Sequence, residues 1–152
     1  MEKDQAIPTR KNLPTEAAAI VLALVFVYTA GSKWLDMAAT REAFLNQPFP
    51  KWMAMALVYI IPSVEFVCGI LLLVPGKRKI GFCIALGLMG LFTAYVALVL
   101  MGIFGRIPCS CGGIVSTLGW WEHLVLNSVL LVTAILGYRL EKTGKSKINI
   151  EK

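Results

Sequence analysis

Charge is scarce in this sequence. Asp, Glu, Lys and Arg supply 16% of the 152 residues, where a soluble domain carries about 25%. A water-soluble fold would lack the polar surface it needs. Histidine occurs once, at His123, so no histidine cluster can form a metal site. No Cys-x-x-Cys pair exists among the cysteines, which are Cys68, Cys83, Cys109 and Cys111. The formal net charge is +6. In a soluble protein that balance suggests nucleic acid, yet no basic and aromatic groove is visible. The basic residues sit between apolar stretches, so membrane topology accounts for them. No nucleic-acid partner is expected.

What is abundant is apolar sequence, with 57% hydrophobic residues. Residues 17–32 are uncharged, and the apolar character extends back to Leu13 and forward to Leu35. Residues 52–74 are apolar except for Glu65. Residues 80–105 carry no charge, and residues 120–138 carry only Glu122 and His123 near their start. A spanning helix needs about 20 largely apolar residues. The expectation is an all-α integral membrane four-helix bundle forming a single domain over 1–152. Its helices are expected at about 15–35, 52–74, 80–104 and 120–139, with short polar tails. The first stretch is the shortest and also fits a cleaved signal peptide. Trp34 and Leu35 continue its apolar character past any cleavage point, which favours a span. Barrel strands are excluded, because the stretches are too long and do not alternate.

Basic residues set the orientation. Lys3, Arg10 and Lys11 precede the first span, Lys77, Arg78 and Lys79 join the second to the third, and Arg139, Lys142, Lys145, Lys147 and Lys152 follow the fourth. Those eleven face four on the other side, namely Lys33, Arg41, Lys51 and Arg106. The positive-inside rule puts both termini in the cytoplasm. Trp34, Trp52, Trp120 and Trp121 then all lie at the outer interface. Pro75-Gly76-Lys77-Arg78-Lys79 reads as a tight inner turn between antiparallel helices. The outer stretch 31–51 mixes apolar residues with Asp36, Arg41 and Glu42. It reads as an interfacial helical extension ended by Gln47-Pro48-Phe49-Pro50.

Cys109 and Cys111 flank one serine on the outer connection between the third and fourth spans. In a bacterial cell that compartment is oxidising. Alpha carbons two residues apart are roughly 5.5–7 Å apart, within disulfide reach. The ring is very small, and its strain favours exchange over permanence. A staple gains most from a long loop, and this bond closes almost none. Pro108 fixes the backbone entering the pair, and Gly112-Gly113 permits close approach of a partner. Three readings stand: redox exchange, metal binding by two thiolates with His123, and a structural or incidental pair.

Glu65 is the only acid deep in a span, about 20 Å from Trp52 along a helix. A charge there must be neutralised or paired, and no basic partner is evident at that depth. It is a candidate proton or quinone site, or an interhelical hydrogen-bonding group. Pro62, one turn earlier, frees a backbone carbonyl. His123 and Asn127 share one helical face. His123 is a candidate base for a cysteine, or an interfacial histidine facing headgroups. Tyr95 and Thr93 read as hydrogen-bonding groups within the bundle. Cys68 and Cys83 fall at similar depths on neighbouring helices, either as a second redox pair or as packing residues. Gly81, Gly87 and Gly90 are expected to allow close helix approach.

These residues together resemble the MauE branch of the MauE/DoxX superfamily. The likeness rests on Thr29-Ala30-Gly31-Ser32-Lys33-Trp34-Leu35-Asp36, on Pro62-Ser63-Val64-Glu65 with Gly69, and on Phe92-Thr93-Ala94-Tyr95. It continues through Pro108-Cys109-Ser110-Cys111-Gly112-Gly113 and Trp120-Trp121-Glu122-His123 with Asn127. The resemblance implies a redox-associated four-helix protein of the bacterial inner membrane. It also implies help in maturing disulfide-bearing periplasmic proteins beside a thioredoxin-like partner. The topology is similar to the DsbB and VKOR families, which pass electrons to quinone, although this chain lacks their Cys-x-x-Cys motif. The expected function is thiol–disulfide exchange by Cys109 and Cys111 at the periplasmic face, assisted by His123. Quinone is the candidate cofactor at Glu65, and membrane lipid is the surrounding partner. The competing classes are a structural or assembly subunit of a membrane complex, and a metal- or small-molecule-handling membrane protein.

Overall fold

The computed structural model describes residues 13–104 and 119–148. They form five helices: α1 (Leu13–Leu35), α2 (Met37–Leu45), α3 (Lys51–Leu73), α4 (Arg78–Leu100) and α5 (Trp120–Ile148). No strand occurs among the described residues. Four of the helices, α1, α3, α4 and α5, are long and apolar enough to cross a membrane. The expected all-α four-span bundle is therefore the fold. The helices form a ring in the order α3, α1, α5, α4, with α4 back against α3. One end, the tail end, carries the start of α1 and the α3–α4 turn. The other, the loop end, carries α2 and the connection from α4 to α5.

Each helix boundary has a local cause. Pro14 sits in the first turn of α1, where a missing N–H costs nothing. The first helix is thus a full span. Its Ala19, Leu22, Ala23, Phe26 and Ala30 are buried in the bundle. α4 begins slightly before the expected residue 80, because Arg78 Nε donates to the Leu72 carbonyl at 3.3 Å and ties the turn to α3. It ends at Leu100, not near 104. Gly102 adopts φ +72°, its N–H donates to Val99 O at 3.0 Å, and the Ile103 N–H donates to Leu98 O at 3.3 Å. Such a paired stop with a left-handed glycine closes a helix regardless of hydropathy. α5 runs past residue 139 to Ile148; a run such as Leu140-Glu141-Lys142 is a good helix former and needs no membrane to stay helical.

The stretch after α1 is helical, as expected, and it is tied to the bundle. Asp36 breaks the chain for one residue and caps α2, its Oδ1 accepting from the Ala39 N–H at 3.0 Å. The Thr40 hydroxyl donates back to Lys33 O at 3.1 Å, satisfying a carbonyl of α1's last turn. α2 then packs on the first half of α3, where Phe44, Ala54 and Val58 form a small cluster.

The main core lies toward the tail end and joins all four spans through Leu22, Phe26, Cys68, Leu72, Phe82, Ala85, Leu130 and Ala134. In lipid, helices associate through close packing rather than water exclusion. Gly81 meets the backbone of Leu71 and Leu72, and Gly69 meets Val27 and the Ala23 carbonyl. A methyl group at Gly81 would lie 2.8 Å from Leu72 N. Gly87 and Gly90 do not share this role, since nothing lies within 4 Å of a Cβ at either. Gly87 is exposed and Gly90 half-buried.

Candidate functional site

The polar groups of the spans gather in three places. The first is between α1 and α3. Gly69 against Ala23 and Val27 sets the register of these antiparallel helices. Glu65, one turn before Gly69 in α3, therefore comes close to Thr29 rather than to the lipid. Cβ atoms lean toward the N-terminus of their own helix, so side chains one turn apart on antiparallel neighbours converge. Lys33 Nζ reaches back one turn and meets both Glu65 oxygens, at 3.0 and 2.9 Å. It also lies 3.4 Å from Thr29 O. The side chains are 13% and 3% exposed respectively, so the ion pair is shielded from its surroundings. Trp34 and Phe66, the next residue on each helix, meet with tilted rings, their centroids 5.2 Å apart.

This pair corrects one expectation, because Glu65 does have a basic partner at its depth. Lys33, counted with the basic residues of the outer side, has its side chain turned into the bundle. The expectation that Glu65 must be neutralised or paired is met by pairing. Sequence reasoning passed over Lys33 because it counted as the outer end of the first span. The available signal was that Lys33 is the only basic residue in either of the two helices that ends within reach of Glu65.

The second place is the loop end of α4. The Tyr95 hydroxyl donates to Gln47 Oε1. Gln47 is buried, and its Nε2 donates to Ala43 O at 3.1 Å. Tyr95 is flanked by Phe49 at 5.5 Å and Phe104 at 5.9 Å. The expected bundle hydrogen bond of Tyr95 is present, whereas Thr93 bonds only within its own helix, to Met89 O at 2.6 Å. Gln47 was not anticipated. A long polar side chain in a turn next to two prolines looks like a helix terminator, and nothing in the sequence reveals its burial.

The third place is the first turn of α5. His123 Nδ1 lies 3.0 Å from Gly119 O, and its ring sits 6.3 Å from that of Trp120. With Nδ1–H held by a carbonyl, a neutral imidazole keeps Nε2 as its free acceptor. That is the form a general base requires. Asn127 is half-buried one turn below.

Cys109, Cys111, Pro108, Gly112 and Gly113 lie outside the described residues. Their segment joins the end of α4 to the start of α5, so it belongs to the loop end. Trp34, Trp52, Trp120 and Trp121 are at that end too, as the sequence suggested. Cys68 and Cys83 are both free. Cys68 is fully buried and its thiol donates to Gly81 O at 3.4 Å, while Cys83 is exposed on the outer surface of α4. Their side chains thus point to different environments. Among the described residues, no three His, Cys, Asp or Glu side chains are grouped to hold a metal.

No curated protein and no solved structure matches the chain. The family model described as methylamine utilisation protein MauE matches residues 11–140, from the start of α1 to the middle of α5, and the chain belongs to that family.

Proposed function

We propose that this chain is a multi-pass protein of the bacterial inner membrane that exchanges thiols and disulfides at the periplasmic face. Cys109 and Cys111 are the exchanging pair. The observation that carries the reading is their placement, one residue apart, in the connection between two membrane helices at the tryptophan-marked end of the bundle. Membership of the MauE family supports it. A thiolate of a periplasmic thioredoxin-like partner attacks one sulfur of the oxidised pair and forms a mixed disulfide. The other loop sulfur leaves as a thiolate and takes up a proton. The partner's second thiolate then attacks the mixed disulfide, releasing the loop as a dithiol and the partner as a disulfide. Two electrons pass to the loop, which can pass them on by the same steps to a disulfide-bearing substrate. His123, whose Nδ1 lies against the Gly119 carbonyl, serves as the proton carrier for the pair. Pro108, Gly112 and Gly113 shape the segment for a partner's approach.

Trapping tests this. With Cys111→Ser, the Cys109 thiolate can still attack a disulfide of the partner or substrate, but no loop thiolate remains to resolve the product, so that mixed disulfide should accumulate. It should be isolable from membranes after acid quenching. If neither single-serine variant captures a partner, and the double variant supports full function, the reading fails. Co-purification with a fixed membrane partner, unaffected by either cysteine, would instead identify an assembly subunit.

A further inference from the structure

The two ends of the bundle expose different charge. At the loop end, Arg41 and Lys51 are the exposed cations among the described residues, and Asp36, Glu42 and Glu122 are exposed at the same end. At the tail end, Lys77, Lys79, Arg139 and Lys142 are all exposed. Arg78 is held inward, donating to Leu72 O and lying 3.9 Å from Glu16. The acids at that end are Glu16, which faces Arg78, and Glu141, which is half-buried and engaged in a contact of its own. No ion pair or side-chain hydrogen bond among the described residues holds the four exposed cations.

These cations share one level. The Phe82 ring lies against Gly137, which sets the register of α4 against α5. At a rise of 1.5 Å per residue, Lys79 lies about 4.5 Å beyond that contact, Arg139 about 3 Å and Lys142 about 7.5 Å, all toward the tail end. The apolar run of α4 starts at Ile80, and that of α5 closes at Tyr138. The charges therefore stand where hydrocarbon gives way to headgroups. Ile80, Leu136 and Leu140 are exposed next to them in the chain, so apolar surface adjoins the charge. Topology alone needs only a count of basic residues on one side. It does not need them at a common level on two packed helices.

We propose that the tail end of α4 and α5 binds the headgroup of an anionic phospholipid, with Lys79, Arg139 and Lys142 meeting its phosphate. Basic groups on neighbouring membrane helices suit such a headgroup. Long basic side chains reach the interface while their stems cover apolar surface. The exposed Ile80, Leu136 and Leu140 favour an occupant with acyl chains over a soluble anion. The site uses neither Cys109 nor Cys111, and it stands whichever leaflet the tail end occupies.

The test uses the full chain in micelles containing phosphatidylcholine, titrated with phosphatidylglycerol. Retained lipid is read by native mass spectrometry. The unaltered chain should retain phosphatidylglycerol in preference by about tenfold or more. That preference should fall as ammonium acetate rises from about 0.1 M to about 0.5 M, because salt screens exposed charge. Each cation near an anionic surface contributes about fivefold. Lys79→Gln, Arg139→Gln and Lys142→Gln together should therefore weaken retention on the order of a hundredfold. Arg41→Gln with Lys51→Gln, at the loop end, should leave it unchanged. Glycerol 3-phosphate, a soluble phosphate without acyl chains, should not displace the lipid. Unaltered retention in the triple variant overturns the proposal, as does an equal loss in the loop-end variant. Should the triple variant fail to fold, a preference that salt leaves unchanged overturns it instead. Displacement by glycerol 3-phosphate would make the occupant a soluble phosphate and not a lipid.

Discussion

An ammonium and a carboxylate held together away from water are each dependent on the other. Breaking a buried pair by removing one partner costs about 3–5 kcal/mol, because the remaining charge is left uncompensated. Replacing both partners by apolar groups of similar size is often neutral. Lys33→Met should therefore destabilise the bundle by about that amount, as should Glu65→Leu. The double variant should recover most of the loss. Thermal unfolding in detergent, followed by helical circular dichroism, measures all three. Additive losses in the double variant would show that the pair is not the interaction that matters. The pair also marks the limit of linear reading. The need for a partner to Glu65 was legible, since an acid in an apolar run has few alternatives. Its identity was not. Depth counted from a helix end ignores the register of the neighbouring helix, and that register is set at Gly69 by contacts with Ala23 and Val27. It also ignores that a lysine can reach back a full turn, as Lys33 does to Thr29.

At the level of helices, hydropathy located the spans but not their ends. The uncharged run through residue 104 overstates α4, because absence of charge does not report a glycine stop. Gly102 was visible as a residue, though only its φ shows that it terminates the helix. The same distinction separates the glycines within α4. Gly81 lies against the backbone of α3, which cannot move like a side-chain tip. Gly81→Ala should push the α3–α4 hairpin apart and cost about 1–3 kcal/mol by overpacking. Gly87 has open space around it, so Gly87→Ala should be neutral or should stabilise by up to about 1 kcal/mol through helix propensity. Melting temperatures of the two variants, compared in one detergent, decide the matter. Equal effects would mean that Gly81 is not a contact point. Spacing alone could not make this distinction, since all three glycines fall on one apolar helix.

For the whole molecule, four spans were legible because a bilayer imposes a length on every crossing helix. The even number of spans puts both termini on one side, whichever side that is. The choice of side comes from the basic residues. The tail end carries Lys77, Arg78, Lys79 and Arg139, and Arg78 is engaged with Leu72 O and lies 3.9 Å from Glu16. The loop end offers fewer, and Lys33 is withdrawn from that count by its pairing with Glu65. Both termini in the cytoplasm is the orientation that this bias favours. Fusions at the C-terminus should report it. A fluorescent protein that matures only in the cytoplasm should be bright there, and alkaline phosphatase, which needs an oxidising compartment, should be inactive. In intact cells, a membrane-impermeant maleimide should label Cys109 and Cys111 after mild reduction. Active phosphatase at the C-terminus, with the pair protected from the maleimide, would reverse the orientation. It would also put the cysteines in a reducing compartment, where a disulfide between them would not persist. Orientation is thus the measurement on which the chemistry of the loop end depends most directly.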